Sequence, residues 1–329
     1  MYKDRFYILL SVTIAGCLFA ALLSLCVGAV WLSPAELLSG TDTTAGRIFR
    51  YARLPPTAAC LLAGAGLAVS GAVIQGVLAN HLASPGIIGV NAGAGLGVTI
   101  CCALGAVSGW AVAGGAFLGA LTAVLAVALT AQKTGASRSS VILGGVAVNS
   151  FLTAVSEGIT TLFPEVGMLI VDFRSGGFSG VSGTRLLPAA VLILGALLVV
   201  WTLSHELDLL SLGEEMAQGL GLSVRRMRTL FLALAALLAG ASVSFAGLLG
   251  FVGLIIPNLV RRLTGGESRR LLPICAFGGA AFVTLCDCTA RVLFAPYEIP
   301  TGIVMSVIGA PFFIFLLFSR RRSSTNRQE

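Results

Sequence analysis

From Leu54 to Gln132 the chain runs for 79 residues without one Asp, Glu, Lys or Arg. A soluble fold needs charge on its surface at far shorter intervals, whereas a bilayer-spanning helix needs ~20 mostly apolar residues. The stretch is long enough for three crossing helices with their turns. Turn-forming residues divide it at Asn80-His81-Leu82-Ala83-Ser84-Pro85-Gly86 and again between Gly105 and Gly109. The rest of the chain follows suit. Charged residues make up 11% of 329, against the ~25% of an average soluble domain. That excludes a disordered chain and a soluble globular enzyme. The net charge of +7 sits in short basic clusters between uncharged runs, so it signals membrane topology and not a nucleic-acid partner. This is a polytopic membrane protein.

The remaining spans follow from the same reading. Phe6 to Ala35 is uncharged and follows Lys3 and Arg5; it is too long for a signal-peptide core and reads as a retained first helix. Further spans are expected at about 140–162, 186–204, 271–289 and 300–319. Thr229 to Val260 is also uncharged, and as one helix it would be ~48 Å long, well beyond the ~30 Å hydrocarbon core. Two shorter crossings, reversing at Gly247, Gly250 and Gly253, keep the cluster Arg225, Arg226 and Arg228 on the same side as Arg261 and Arg262. The expectation is an all-α bundle of about ten transmembrane helices, one domain over 1–329, both termini cytoplasmic. The basic residues agree with it. Lys3, Arg5, Lys133, Arg138, Arg225, Arg226, Arg228, Arg261, Arg262, Arg269, Arg270, Arg320, Arg321, Arg322 and Arg327 fall inside; Arg47, Arg50, Arg53, Arg174, Arg185 and Arg291 fall outside. Small residues such as Gly64-Ala65-Gly66 and Gly93-Ala94-Gly95 suit close helix crossings.

Few residues offer chemistry. The eight Cys lie in apolar runs without the spacing of a zinc site and read as small apolar side chains; no metal or cofactor is expected on this chain. A P-loop needs Gly-Lys-Ser/Thr, yet Lys3 and Lys133 are the only lysines and neither follows Gly, so the chain is not itself a motor or an enzyme. Gly177-Phe178-Ser179-Gly180 has the form of a nucleophile turn, but His81 and His205 fall on the opposite side of the membrane, and a Gly-rich outer turn accounts for it. Glu157, near the outer end of its span, is an ionisable residue in the bilayer and hence a pathway candidate with Asn149, Ser150 and Thr153; interhelical hydrogen bonding is the alternative. Asp287 and Arg291, four apart, suit an ion pair on one helix. The loop over about 205–228 is long and polar. Glu214 to Leu220 reads as a short amphipathic helix closed by Gly221, with Ser223 capping the next helix. Such a pair either docks into a partner's groove or lies on the membrane as a connector.

An ordered set of motifs then becomes visible. It runs from Arg53-Leu54-Pro55, Gly64-Ala65, Ser70-Gly71, Gln75, Asn80, Leu82-Ala83, Pro85-Gly86 and Gly93-Ala94-Gly95 to Leu212-Gly213-Glu214-Glu215 with Ala217 and Leu220-Gly221. It continues through Gly250-Phe251-Val252-Gly253-Leu254-Ile255-Ile256-Pro257, Arg269-Arg270-Leu271-Leu272-Pro273, Asp287 with Ala290-Arg291, Glu298-Ile299-Pro300-Thr301-Gly302 and Ile308-Gly309-Ala310-Pro311. Together these resemble the permease subunits of ABC importers for iron chelates, haem and cobalamin, the FecCD-type family.

The resemblance implies a ten-helix subunit in a bacterial cytoplasmic membrane, paired with a second permease copy or paralogue. Two separate ATP-binding subunits would hold ATP and Mg, and an extracytoplasmic substrate-binding protein would deliver the cargo, a siderophore or alternatively haem or cobalamin. It implies ATPase coupling at Gly213, Glu214, Glu215, Ala217, Gly219 and Gly221. It implies binding-protein docking at Arg53 and Arg291, and a cytoplasmic gate at Asn80, Leu82, Ser139 and Ser140. Two departures stand out: Pro56 where the family often has a second Arg, and His81 where it commonly has Pro. His81 is expected to be solvated, and Asn258 to carry no chemistry. An ion-coupled secondary transporter is the rival class, but Glu157 and Asp287, the only acids in or near the spans, fall toward the outer end and not the midplane.

Overall fold

The computed structural model describes residues 2–28, 33, 43–133, 138–295 and 297–325. The expected continuation of the first span to Ala35 falls almost wholly outside these residues, as does Arg327. Secondary structure among the described residues is helical throughout. The helices are α1 Tyr2–Cys26, α2 Thr44–Arg47, α3 Leu54–Leu78, α4 Val90–Ala103, α5 Gly109–Lys133, α6 Arg138–Leu162, α7 Pro164–Leu169, α8 Val171–Ser175, α9 Gly183–Thr202, α10 Ser204–Ser211, α11 Glu214–Gly219, α12 Val224–Ala246, α13 Val252–Thr264, α14 Ser268–Val292 and α15 Thr301–Thr325. Among the described residues, seven helical runs are long and apolar enough to cross a membrane, and Val90–Ala103 and Thr301–Phe315 are shorter apolar helices.

One difference from the expectation concerns the second span. It begins ahead of the uncharged stretch: Arg47 lies in α2, and a π-helical turn, Ile48–Arg53, leads from it into α3, so the helical run extends over Thr44–Leu78. α3 is the axis of the bundle. Of its most apolar stretch 78% is buried, against 11% for α1. α1 instead turns Tyr7, Ile8, Val12, Leu18, Phe19 and Leu22 outward and packs on α14 and α3 with its other side.

Lipid tails are as apolar as leucine, so helices in a bilayer associate through close packing and hydrogen bonds. Small residues supply the first. Gly64 of α3 meets Gly279 of α14 backbone to backbone, and Gly71 meets Gly253 of α13; Gly93 and Gly97 of α4 meet Gly119 and Gly115 of α5. Gly95, from the same predicted cluster, faces open space instead. Hydrogen bonds supply the second. Ser70 Oγ donates to the Ala235 carbonyl on α12 at 2.7 Å, and Ser24 with Thr57 at 2.8 Å joins α1 to α3.

The uncharged stretch from Thr229 to Val260 does break. α12 ends at Ala246, Gly247 adopts φ +70°, and α13 resumes at Val252. Gly253 is not part of this reversal; it lets α13 cross α3. α13 has 13 residues, ~20 Å of helix, so the non-helical stretch 247–251 makes up part of this crossing.

Candidate functional site

Two ends of the bundle carry the polar chemistry. At the end bearing Arg225, Arg226, Arg261, Arg262, Arg269 and Arg270, the chain between α9 and α12 folds into two short helices. Gly213 precedes α11 with φ +122° and ψ 160°, a conformation that any side chain would strain. The α11 turn is closed by Gly221, φ +85°, whose N–H donates to the Gln218 carbonyl at 2.9 Å. Glu214 accepts a hydrogen bond from Arg228 of α12 at 2.5 Å, the guanidinium being buried. Ala217 is fully buried and faces the bundle, while Leu212, Met216 and Leu220 are 58–62% exposed. Glu215 and Gly219 are exposed too. The expected short helix thus forms, with Arg228 tying down Glu214, and its outer surface sets Glu215 and Gln218 beside the apolar Met216 and the flanking Leu212 and Leu220.

Beside it lies the loop between α3 and α4. Asn80 makes a turn of its own, its Oδ1 accepting from the Leu82 N–H at 2.9 Å. His81 is not solvated. Its carbonyl accepts from Asn258 Nδ2 of α13 at 2.8 Å, and its ring Nδ1 meets the Arg261 guanidinium. An arginine only donates, so Nδ1 accepts in this contact. Arg261 also donates to Gln75 Oε1 at 2.9 Å, and Gln75 Nε2 donates to the Gly253 carbonyl at 3.1 Å. Gln75, His81, Asn258 and Arg261 therefore clasp the loop to α13. Sequence reading missed this clasp, because its members are up to 186 residues apart; the signal was a Gln in an otherwise apolar span. Of the other two loop candidates, Ser139 is exposed and Ser140 half-buried at the start of α6, on a different element from the clasp.

At the opposite end three chain breaks meet. The Gly177 N–H donates to the Ala246 carbonyl at 2.8 Å, the Leu248 N–H to the Phe173 carbonyl at 2.9 Å, and the Gly302 N–H to the Gly176 carbonyl at 3.1 Å. Non-helical backbone at membrane depth persists only where protein satisfies its polar groups, and here each break satisfies another. A side chain at Gly176 would strike the Leu248 carbonyl, and one at Gly302 the Ser175 carbonyl. These breaks border a cavity of ≈ 610 Å³ whose polar lining includes Asp172, Ser179, Arg185, Ser244 and Glu298. Ser179 donates to Glu298 at 2.9 Å, the role that the G-x-S-G turn takes here. Arg185 is held by Ser182 and the Gly180 carbonyl.

Arg53 and Arg291 are both 7% exposed. Arg291 pairs with Asp287 one turn earlier on α14, as the spacing predicted, and Asp287 accepts a second bond from Thr301 at 2.8 Å. The Arg53 guanidinium packs against Gly28, where a side chain would collide with it. Asn149, Thr153 and Glu157 separate from Ser156. Ser156 is buried and bonded to Thr99 of α4 at 2.8 Å. Asn149 is half-buried, whereas Ser150, Thr153, Glu157 and Thr161 share one exposed face of α6 with Leu143 and Val146.

The comparisons fall into line with this geometry. The FecCD transport family model matches residues 16–319. The chain belongs to that family. It is therefore a multi-pass permease of the ABC importers for iron chelates and cobalamin, whose ATPase resides on separate subunits. The chain is 35% identical over 301 residues, 90% of each protein, to the Fe(3+)-citrate import system permease protein YfmE of Bacillus subtilis (strain 168). It is 38% identical over 309 residues, 93% of each, to the vitamin B12 import system permease protein BtuC of Escherichia coli O9:H4 (strain HS). Its fold matches a solved inward-facing metal-chelate type ABC transporter with a TM-score of 0.86 and 32% identity, over 94% of this chain and 98% of the other. A more distant match, PsaBC from Streptococcus pneumoniae, has a TM-score of 0.54 at 17% identity, over 79% of this chain and 89% of the other, and shares the fold alone.

Proposed function

We propose that this FecCD permease works as one of two copies enclosing a path for an iron chelate of the siderophore type, with ten spans and both termini in the cytoplasm. The observation that carries the importer reading is the outer surface of α11 and its flanks, where the exposed Leu212, Met216 and Leu220 form an apolar knob on a helix anchored by Arg228. A knob of this kind seats in a groove on the ATPase subunit, and two such ATPases, holding ATP and Mg, would drive the cycle. Gly213, Glu214, Glu215, Ala217, Gly219 and Gly221 shape and hold it. The topology is supported by α1 beginning beside Arg270 of the basic end, with the Arg270 guanidinium 5.9 Å over the Phe6 ring, while α15 begins at the far end beside Asp287.

The path would run along the exposed α6 face. A carboxylate such as Glu157 is expensive against lipid, so that face meets a second copy or a water-filled path. The family implies a binding protein at the outer end, docking near Arg53 and Arg291. Because both guanidiniums are buried in this chain, Arg291 against Asp287, they would meet it only once their surroundings open. Asn80, Leu82, Ser139 and Ser140 would form the inner gate, with the His81 clasp holding the first two. Cobalamin is the second reading, since one relative is a vitamin B12 permease at 38% identity.

The test is mild extraction of the tagged chain from its native membranes, with mass spectrometry of what stays bound. A stoichiometric P-loop ATPase is expected, together with loss of ATP-driven uptake in Gly213→Arg without loss of the protein from the membrane. A chain that comes out alone and drives uptake in ATP-free vesicles would end the importer reading. Titrating the co-purified binding protein with ferric siderophores, haem and cobalamin separates the cargo readings.

A further inference from the structure

Between Arg138 and Arg174 the chain has no Lys or Arg, and its acids there are Glu157, Glu165 and Asp172. All three are exposed, and none makes a side-chain hydrogen bond or ion pair among the described residues. Arg174 follows Asp172 on α8. The other outer basic residues are engaged elsewhere. Arg53 and Arg291 are buried, and Arg185 is held by Ser182 and the Gly180 carbonyl. Arg47 and Arg50 belong to the segment before α3, which packs on α1 and α3, whereas α6 packs on α4 and α5. Glu157 differs from the other two acids because it lies within a membrane-crossing helix, Ser139–Leu162. The nearby Thr160 and Thr161 hydroxyls donate to its backbone carbonyl, at 3.0 and 2.8 Å, and not to its carboxylate. Interhelical hydrogen bonding, the usual alternative for a polar residue in a span, is therefore not its role within this chain. In a symmetric pair the facing α6 brings another Glu157 and no cation. A charge so placed needs water or a polar cargo against it.

We infer that Glu157 sets the charge class of the cargo: the path takes a ferric chelate of zero or positive net charge and turns back a polyanionic one. The inference rests on the proposed path along α6 and narrows its cargo. Three hydroxamates neutralise Fe(III), so their complex is neutral or, with an amine arm, cationic. Three catecholates leave the complex a trianion. Two Glu157 carboxylates, each ~8 Å from the centre of a trianion in water, lower its local concentration on the order of 100-fold. Low-dielectric walls focus that field further. A hydroxamate chelate meets no such barrier, and its amide N–H groups find an acceptor in the carboxylate. Glu157 is thus a specificity-determining residue.

The experiment reads the local potential directly. Thr153→Cys places a thiol one turn from Glu157 on the same face, ~6 Å away. The chain is extracted with its native partners and reconstituted in liposomes. Two water-soluble methanethiosulfonate reagents are compared there, a cationic trimethylammonium and an anionic sulfonate. The eight native cysteines give the background in the unsubstituted chain. A unit charge ~6 Å away in water changes the cation-to-anion rate ratio about tenfold. Adding Glu157→Gln should therefore lower the ratio about tenfold, and Glu157→Lys about tenfold again. An unchanged ratio in the glutamine variant overturns the filter and leaves the aqueous path standing. No modification by either reagent means a face closed to water, which removes the path reading and this inference with it. The cargo gives a second arm. The chelate identified on the co-purified binding protein should carry no net negative charge; ATP-driven uptake of a polyanionic chelate by the unsubstituted complex overturns the charge class.

Discussion

The two ends of the bundle solve the same problem with different materials. At the far end, the breaks at Gly176, Gly247 and Pro300 close on one another through backbone N–H and C=O groups, with glycines removing every atom that would hold them apart. At the basic end, the loop after α3 and the helix α11 are held by side chains: Asn258, Arg261 and Gln75 around His81, and Arg228 on Glu214. Backbone contacts of that density have one arrangement. Guanidinium and amide contacts at the edge of the membrane can exchange for water at little net cost, since a hydrogen bond contributes only ~1 kcal/mol net. The contrast is one of materials, a far end closed by backbone and a basic end held by side chains, and it suits the proposed gate at the basic end.

Substitutions break or sharpen this contrast in a definite order of stability. Gly176→Val should have the largest effect, because it strikes the Leu248 carbonyl and occupies φ +66°; we expect ~4 kcal/mol or more and no recoverable folded protein by size-exclusion chromatography in detergent. Arg291→Met comes next. It leaves Asp287 buried and without its ion-pair partner, a loss of about 3–5 kcal/mol, and an Asp287→Asn/Arg291→Gln double variant should recover part of it in thermal unfolding. His81→Ala at the basic end should lower stability by only ~1 kcal/mol, yet speed hydrogen exchange at residues 80–82. Smallest of all, Leu212→Ser/Met216→Ser/Leu220→Ser should leave stability within about 0.5 kcal/mol while abolishing ATPase co-purification. If His81→Ala proved as damaging as Gly176→Val, the contrast between a backbone-closed and a side-chain-held end would collapse.

How much was legible beforehand varies by element, for physical reasons. The broken span between α12 and α13 could be read off, because 32 uncharged residues exceed a bilayer and basic clusters flank them. The Asp287–Arg291 pair followed from helical spacing alone. Burial of Arg53 did not, because a residue just before an apolar run looks interfacial until α1 folds over it and brings Gly28 against its guanidinium. The helix at 214–219 was readable, but its orientation was not. No local pattern pairs Glu214 with Arg228, which stands 14 residues on in the next helix. The His81 clasp lay beyond any local reading.

Hydropathy, charge bias and the ordered motifs determined by themselves that this is a multi-span helical permease, because the bilayer imposes length and sign on every crossing segment without reference to its neighbours. Which glycines cross backbones, which arginines are paired and which leucines are left bare were decided only by the tertiary structure. Those outcomes depend on what a segment from elsewhere in the chain brings within 3 Å, and a spacing along one helix does not encode that.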